Sequence, residues 1–242
     1  MKVKVFALRT AREILRDPIN LGFGLGFPVI ILLLLSAIQA NIPVDLFRIE
    51  QLAPGIAIFG LSFITLFSAT LIAKDRGSAL LQRLYTTPLS PAGYIIGYTL
   101  PLLPISLGQT VICYGIAIIL GLPVNIHLLT ALLLMIPAAI FFIFLGLLCG
   151  SILNDKQVGG ICGALLTNLT AWFSGTWFDL ELVGGVFKDI AYALPFVHGV
   201  ELERAAISGN YAVIPEQMLW VTGYMLLTFV VAVLLFLRQM RQ

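Results

Sequence analysis

Long apolar runs separated by short polar segments dominate the pattern of this chain. Six runs are long enough to cross a bilayer, which takes about 20 residues at about 1.5 Å each. They occupy residues 21–40, 52–73, 93–120, 128–152, 158–178 and 217–237. The pattern therefore predicts one all-α membrane domain over residues 1–242, with six transmembrane helices.

Two amphipathic regions accompany these runs. In residues 1–19, the three arginines Arg9, Arg12 and Arg16 share one helical stripe beside apolar positions. This spacing favours a helix lying in the membrane interface over a plain positive anchor. In the connection 179–216, Gly184-Gly185 divides the apolar residues into pieces that are too short to span, which predicts short re-entrant or interfacial helices before the last span.

A third amphipathic segment, residues 75–91, lies between the second and third runs. Its apolar side chains recur at steps that place them on one face of a helix: Leu80, Leu81, Leu84 and Tyr85. Pro88 and Pro91 end this helix. The pattern fits either a helix resting on the membrane or a docking helix for a partner protein.

Composition and charge support the membrane assignment and orient the chain. Hydrophobic residues make up 60% and charged residues only 11%, whereas soluble domains carry about 25% charged residues. If the loops alternate sides, eleven of the fourteen Lys and Arg fall on the side of both termini. The positive-inside rule then predicts cytoplasmic termini. A net charge of +2 gives no indication of a nucleic-acid partner.

Polar residues within the apolar runs are candidates for a transport path. Ser62, Thr65 and Ser68 fall on nearly one face of the second run, and Asn168 and Trp172 lie in the fifth. These side chains either line a solvated path or, for the hydroxyls, bond to backbone carbonyls one turn back.

Prolines and glycines predict local features of three spans. Pro101 and Pro104 predict a break in the third span. Gln109 in this span either ties two helices together, which is the favoured interpretation, or faces a cavity. The pairs Gly146/Gly150 and Gly159/Gly163 flank a tight turn and predict that the fourth and fifth spans form a close antiparallel hairpin.

The sequence predicts no catalytic residue and no metal site. Neither the two His nor the three Cys have metal-ligand spacing. An intramembrane enzyme based on Ser62 is disfavoured, because no later span holds a His that would activate the hydroxyl. An autonomous secondary transporter or channel is the stronger alternative, but the spans hold essentially no Asp, Glu or Lys for ion coupling.

Two stretches resemble the signature regions of ABC-2 type transporter permeases. The first runs from Asp75 to Pro91 and reads DRGSALLQRLYTTPLSP, ending in the Leu-x-x-x-Pro element of that family. The second combines FSGTWF at 173–178 with ALPFVHGVE at 193–201. Ser78 and Asp179 depart from the residues that are usual in the family.

The resemblance implies the membrane subunit of an ATP-driven exporter in the cell membrane, paired with a second permease, identical or related. ATP and Mg would be bound by a separate cytoplasmic ATPase, since this chain has no G-x-x-x-x-G-K-[ST] motif. The implied ATPase contacts are Gly77, Leu80, Leu81, Arg83, Leu84, Tyr85 and Pro88. The implied extracytoplasmic motif comprises Gly175, Pro195, His198 and Glu201. Spans one, two and five would approach the path.

Overall fold

A computed structural model of the protein describes residues 2–43, 45, 47–78 and 90–239, and all the regular secondary structure in them is helical. In chain order the elements are α1 (Lys2–Leu15), α2 (Pro18–Gln39), α3 (Ile49–Gly77), α4 (Pro91–Ile119), α5 (Ile126–Ile152), α6 (Asp155–Val158), a π-helix π1 (Gly159–Leu166), α7 (Thr167–Phe173), α8 (Leu180–Val183), α9 (Gly185–Tyr192), α10 (Pro195–Ser208) and α11 (Ile214–Gln239).

Five helices are long and apolar enough to cross a membrane: α2, α3, α4, α5 and α11. The all-helical, multi-pass prediction is therefore confirmed. The predicted span 158–178 corresponds to α6, π1 and α7, which follow one another without a break and end at Phe173. The chain then turns through Gly175, whose φ of +68° favours glycine. A count of six spans stays a prediction.

Polar side chains at the helix starts explain several boundaries. Ser90 caps α4 by accepting a hydrogen bond from the Gly93 N–H, and Pro91 follows at the first helical position. At the start of α6, Asn154 and Gln157 form a reciprocal capping box. These contacts satisfy backbone donors that a helix leaves free at its first turn.

Helix α3 occupies the centre of the bundle and contacts α2, α4, α5, π1 and α10. Helix α3 itself carries buried apolar side chains on all its sides, as expected of a helix that other helices enclose. Gly146 and Gly150 of α5 lie against the α3 backbone near Thr65 and Ala69. The two glycine pairs do not pack against each other as predicted, because Gly146 and Gly150 approach α3 and Gly163 approaches Leu66 of α3.

Helix α4 continues through Pro101 and Pro104, so the predicted break in the third span is wrong. Each proline leaves a backbone carbonyl without its usual hydrogen bond, and neighbouring helices in a membrane bundle can satisfy that carbonyl. Gln109 lies fully buried on α4 and contacts α3 at Gly60, where the missing side chain leaves room for its amide. This contact agrees with the predicted tie between helices.

The bundle has two distinct ends. The α1 end contains α1, the C-terminus of α3 and the start of α4, where Phe6 packs edge-on against Tyr94 and Tyr98 at centroid distances of 5.7 and 4.9 Å. The α10 end contains α8, α9, α10 and the first turns of α3. Gly184 and Gly185, both with positive φ, separate α8 from α9 as the sequence predicted.

Candidate functional site

Asp75 is the centre of a buried polar contact at the α1 end. Arg9 of α1 donates two hydrogen bonds to its carboxylate, Nη1 to Oδ2 and Nη2 to Oδ1, each 2.7 Å long. The Tyr98 hydroxyl of α4 donates a third at 2.6 Å. Asp75 is 2% exposed, so this arrangement supplies a paired, hydrogen-bonded environment for a buried charge.

The charges around Asp75 also affect α1. The hydrogen bond with Asp75 raises the pKa of the Arg9 guanidinium above its ordinary value. Burial, followed by the nearby Asp75 charge, raises the pKa of Glu13, which is 2.7 Å from Arg9. Arg9 remains charged at any physiological pH, because its pKa is already far above neutrality.

Arg76, the next residue, ties α3 to the C-terminus of α5. Its guanidinium donates hydrogen bonds to the carbonyl oxygens of Ser151, Ile152 and Leu153, the last at 2.7 Å. These carbonyls are among those that a helix leaves without intrahelical partners, and a cation there also complements the helix dipole. Asp75 and Arg76 thus connect the end of α3 to α1, α4 and α5.

Most of the predicted ATPase contacts lie outside the described residues: Leu80, Leu81, Arg83, Leu84, Tyr85 and Pro88. Gly77 is the last residue of α3 and lies one position beyond Arg76. The predicted docking segment therefore begins immediately after the Asp75–Arg76 contacts in the sequence, and α4 follows it.

Three predicted path residues, Ser62, Thr65 and Ser68, are fully buried in this structure. Ser62 and Ser68 donate hydrogen bonds to carbonyl oxygens one turn back, those of Phe59 and Thr65. Thr65 instead donates to the Phe142 carbonyl of α5 at 2.8 Å. Their placement matches the backbone-bonding alternative, with Thr65 also joining α3 to α5.

The other two path candidates, Asn168 and Trp172, line a cavity of about 560 Å³ between α2, α3 and α7. Its walls are mainly aromatic: Phe23, Phe27, Phe59, Phe63, Trp177 and Phe178. Asn168 donates a hydrogen bond to the Ala164 carbonyl at 2.8 Å, and Trp172 is 52% exposed. An apolar, aromatic cavity with few polar groups suits an amphiphilic or apolar ligand.

At the α10 end the structure brings the predicted motif together. Pro195 begins α10, and Glu201 accepts a hydrogen bond of 2.8 Å from the Tyr192 hydroxyl. The Gly175 carbonyl accepts one of 2.9 Å from Arg204, which also donates to the Gln51 carbonyl of α3. Arg204 therefore joins α10 to α3 and to the turn after α7, and its burial lowers its pKa.

His198 of the same motif is 3% exposed and connects α9, α10 and α11. Its Nδ1 lies 2.6 Å from Gln217 Oε1, and its Nε2 lies 2.9 Å from the Tyr192 carbonyl oxygen. The ring stacks on Trp220 with a centroid distance of 4.7 Å and an interplanar angle of 1°. These contacts indicate a packing role for His198.

The sequence did not identify the residues whose polar side chains make hydrogen bonds between helices: Arg9, Asp75, Arg76, Tyr98, Glu203 and Arg204. Adjacent Asp and Arg at the end of an apolar run gave a signal, but their partners come from distant helices. Among the described residues, no cluster of His, Cys, Asp or Glu could hold a metal ion.

Comparisons with known proteins address the chain as a whole. No curated protein matches it. A protein-family model described as ABC-2 type transporter matches residues 1–208, which is most of the chain, and the chain therefore belongs to the ABC-2 type transporter family as a membrane-spanning permease.

Proposed function

We propose that this chain is the permease subunit of an exporter and that a separate cytoplasmic ATPase drives it through residues 77–88. Membership of the ABC-2 family supports a transport function of this general type. The coupling proposal rests on Asp75 and Arg76, which lie just before this segment. Their side chains bond the end of α3 to α1, α4 and α5. A force on the segment would thus reach α1, α4 and α5 together.

Two permease chains, identical or related, form the translocation path in this proposal. In one chain, α2 buries little of its apolar surface, although it borders the aromatic cavity. Gly159 and Gly160 of π1 have no atoms near the position where a side chain would begin. The exposed apolar face of α2 suits a second chain that completes the cavity, and the two open glycines suit the close approach of another helix at π1. The cavity would take an amphiphilic or apolar cargo.

The positive-inside asymmetry orients the proposed subunit. It assigns the α1 end and both termini to the cytoplasm, and the α10 end to the outer side of the cell membrane. A cysteine placed at Gln82 should then resist membrane-impermeant thiol reagents in intact cells and react after permeabilisation. Labelling in intact cells would contradict the orientation and, with it, the ATPase docking.

The docking itself is tested by Leu81→Asp and Leu84→Asp. A carboxylate on the apolar face should abolish co-purification of the ATPase while leaving the permease inserted, because docking would bury that face. Gln82→Asp is the matched control, since helical spacing predicts Gln82 to lie largely off the apolar face. Full ATPase recovery with both leucine variants would contradict the docking assignment.

A further inference from the structure

Glu203 of α10 is a buried carboxyl group without a counter-ion. It is 0% exposed, and its Oε2 accepts a hydrogen bond of 2.6 Å from the Tyr114 hydroxyl of α4. Its other oxygen, Oε1, is buried and has no hydrogen-bond partner among the described residues. Tyr114 lies five positions before the end of α4, about 7 Å along the helix at about 1.5 Å per residue.

No cation compensates this group within the part of the chain that the structure describes. Arg204, the adjacent residue, directs its guanidinium to the Gln51 and Gly175 carbonyls instead. From α4, the titratable side chain of Tyr114 contacts Glu203. Other titratable residues at this end belong to elements packed on α10 and make no hydrogen bond or ion pair with Glu203: Glu50, His127, Lys188, Asp189, Tyr192, Glu216 and Tyr224.

An ionised carboxylate in such a site would lack the donors and the opposite charge that buried ions need. A neutral carboxylic acid keeps the hydrogen bond from Tyr114 and avoids the cost of a buried charge. We propose that Glu203 is a proton-binding site, occupied while α10 is packed against α3, α5 and α11 with Glu203 on Tyr114 of α4, and emptied into the outer solution when α10 moves away.

The electrostatics agree with this geometry. Burial raises the pKa of Glu203 from its ordinary value of 4.5 to about 8. The packed state therefore holds a proton that an exposed Glu203 releases at neutral pH. The packed state is most favoured below about pH 4.5, and each further pH unit up to about 8 lowers its population relative to the exposed state about tenfold.

The consequence is a dependence on outer pH that is separate from ATPase docking. Alkaline conditions outside favour the conformation in which α10 has moved away, and acidic conditions favour the packed one. Glu203→Gln has nearly the same shape and carries no proton to lose, so it should hold the packed state at every pH. The proposal rests on the orientation proposed above, which places α10 on the outer side, but it does not depend on residues 77–88.

The test uses the purified full chain in lipid nanodiscs. Infrared difference spectra between about pH 6 and about pH 10 should show the carbonyl stretch of a protonated carboxylic acid, lost on alkalinisation. Glu203→Gln should remove this band. Glu201→Gln is the matched control on the same helix, and it should keep the band because Glu201 is only partly buried. Absence of the band in the wild type, or its persistence in Glu203→Gln, would overturn the proposal.

A second measurement separates titration from a folding defect. The melting temperature of the wild type minus that of Glu203→Gln should fall as pH rises from about 5 to about 8. Tyr114→Phe, which removes the single hydrogen bond, should retain this pH dependence. A difference that stays constant across the range would overturn the proposal even if both variants are less stable.

Discussion

Arg9 and Asp75 lie 66 positions apart in the sequence, yet their side chains share two parallel hydrogen bonds of 2.7 Å. The pair joins the amphipathic first helix to the end of the central helix of the bundle. A bidentate contact of this kind fixes orientation as well as distance. The first helix is therefore bonded to the protein core, in addition to any contact that it makes with lipid.

Arg9→Gln should destabilise the protein by about 2–3 kcal/mol, because Asp75 would remain buried with only Tyr98 as a partner. This loss of stability is smaller than that expected for breaking a fully buried ion pair, because the Arg9 side chain is 36% exposed. Unfolding by a denaturing detergent in mixed micelles measures the change. Arg12→Gln, on the exposed side of the same helix, should have an effect below about 0.5 kcal/mol.

The double variant Arg9→Gln/Asp75→Asn completes this test. With the buried charge removed, its loss of stability should be smaller than the sum of the two single losses. Strict additivity of the two single effects would show that the pair contributes no coupling.

Gly150→Ala should destabilise the bundle by about 1–3 kcal/mol, because the added methyl group would overlap the Ala69 backbone and force α3 and α5 apart. Gly115→Ala is the control, since it lies within α4 and has no neighbour within 4 Å of the new methyl group. That control should be neutral or stabilising by up to about 1 kcal/mol. Thermal unfolding in detergent distinguishes the two outcomes.

Arg76→Gln should uncouple ATP hydrolysis from transport without releasing the ATPase. The guanidinium contacts with the end of α5 would be lost, while the docking face at residues 80–85 would be unchanged. We expect at least about a tenfold fall in transport per ATP hydrolysed, equal to about 1.4 kcal/mol. Co-purification measures ATPase binding, and a reconstituted assay measures both rates. An unchanged ratio would contradict a transmitting role for Arg76.

Gly160→Leu should weaken association between two permease chains, because a bulky side chain would prevent close helix approach at π1. Gly115→Leu also introduces a leucine at an open glycine, but on α4, away from the aromatic cavity. Light scattering in detergent gives the mass of each variant. Equal association of both variants would place the interface elsewhere.

The amino-acid sequence was sufficient to predict most of the helices, because apolar runs of this length have few alternatives to a spanning helix. It also predicted the break at Gly184-Gly185 and the contact role of Gln109. It did not predict the partners of Gly146 and Gly150, since a small-residue pair indicates close packing without identifying the neighbouring helix.

The polar contacts were harder to predict from the sequence. Ser62 and Ser68 bond to carbonyls one turn back in α3, which was one of the two predicted alternatives, whereas the Phe142 acceptor of Thr65 lies on α5 and is identified only by the packed structure. Glu203 belongs to a segment rich in acids, and nothing in its neighbours along the chain distinguishes it from Glu201. Its burial depends on how α10 packs against α3, α5 and α11, which is a tertiary effect.

The π-helix Gly159–Leu166 determines which residues reach the aromatic cavity. Each π turn holds about one residue more than an α turn, so it rotates everything that follows by about 100° relative to a regular helix. Asn168 and Trp172 come directly after it and owe their direction to that phase shift. Deleting one residue from this stretch would redirect both side chains while leaving the composition of the helix almost unchanged, so the deletion would change the lining of the aromatic cavity without introducing a new side chain.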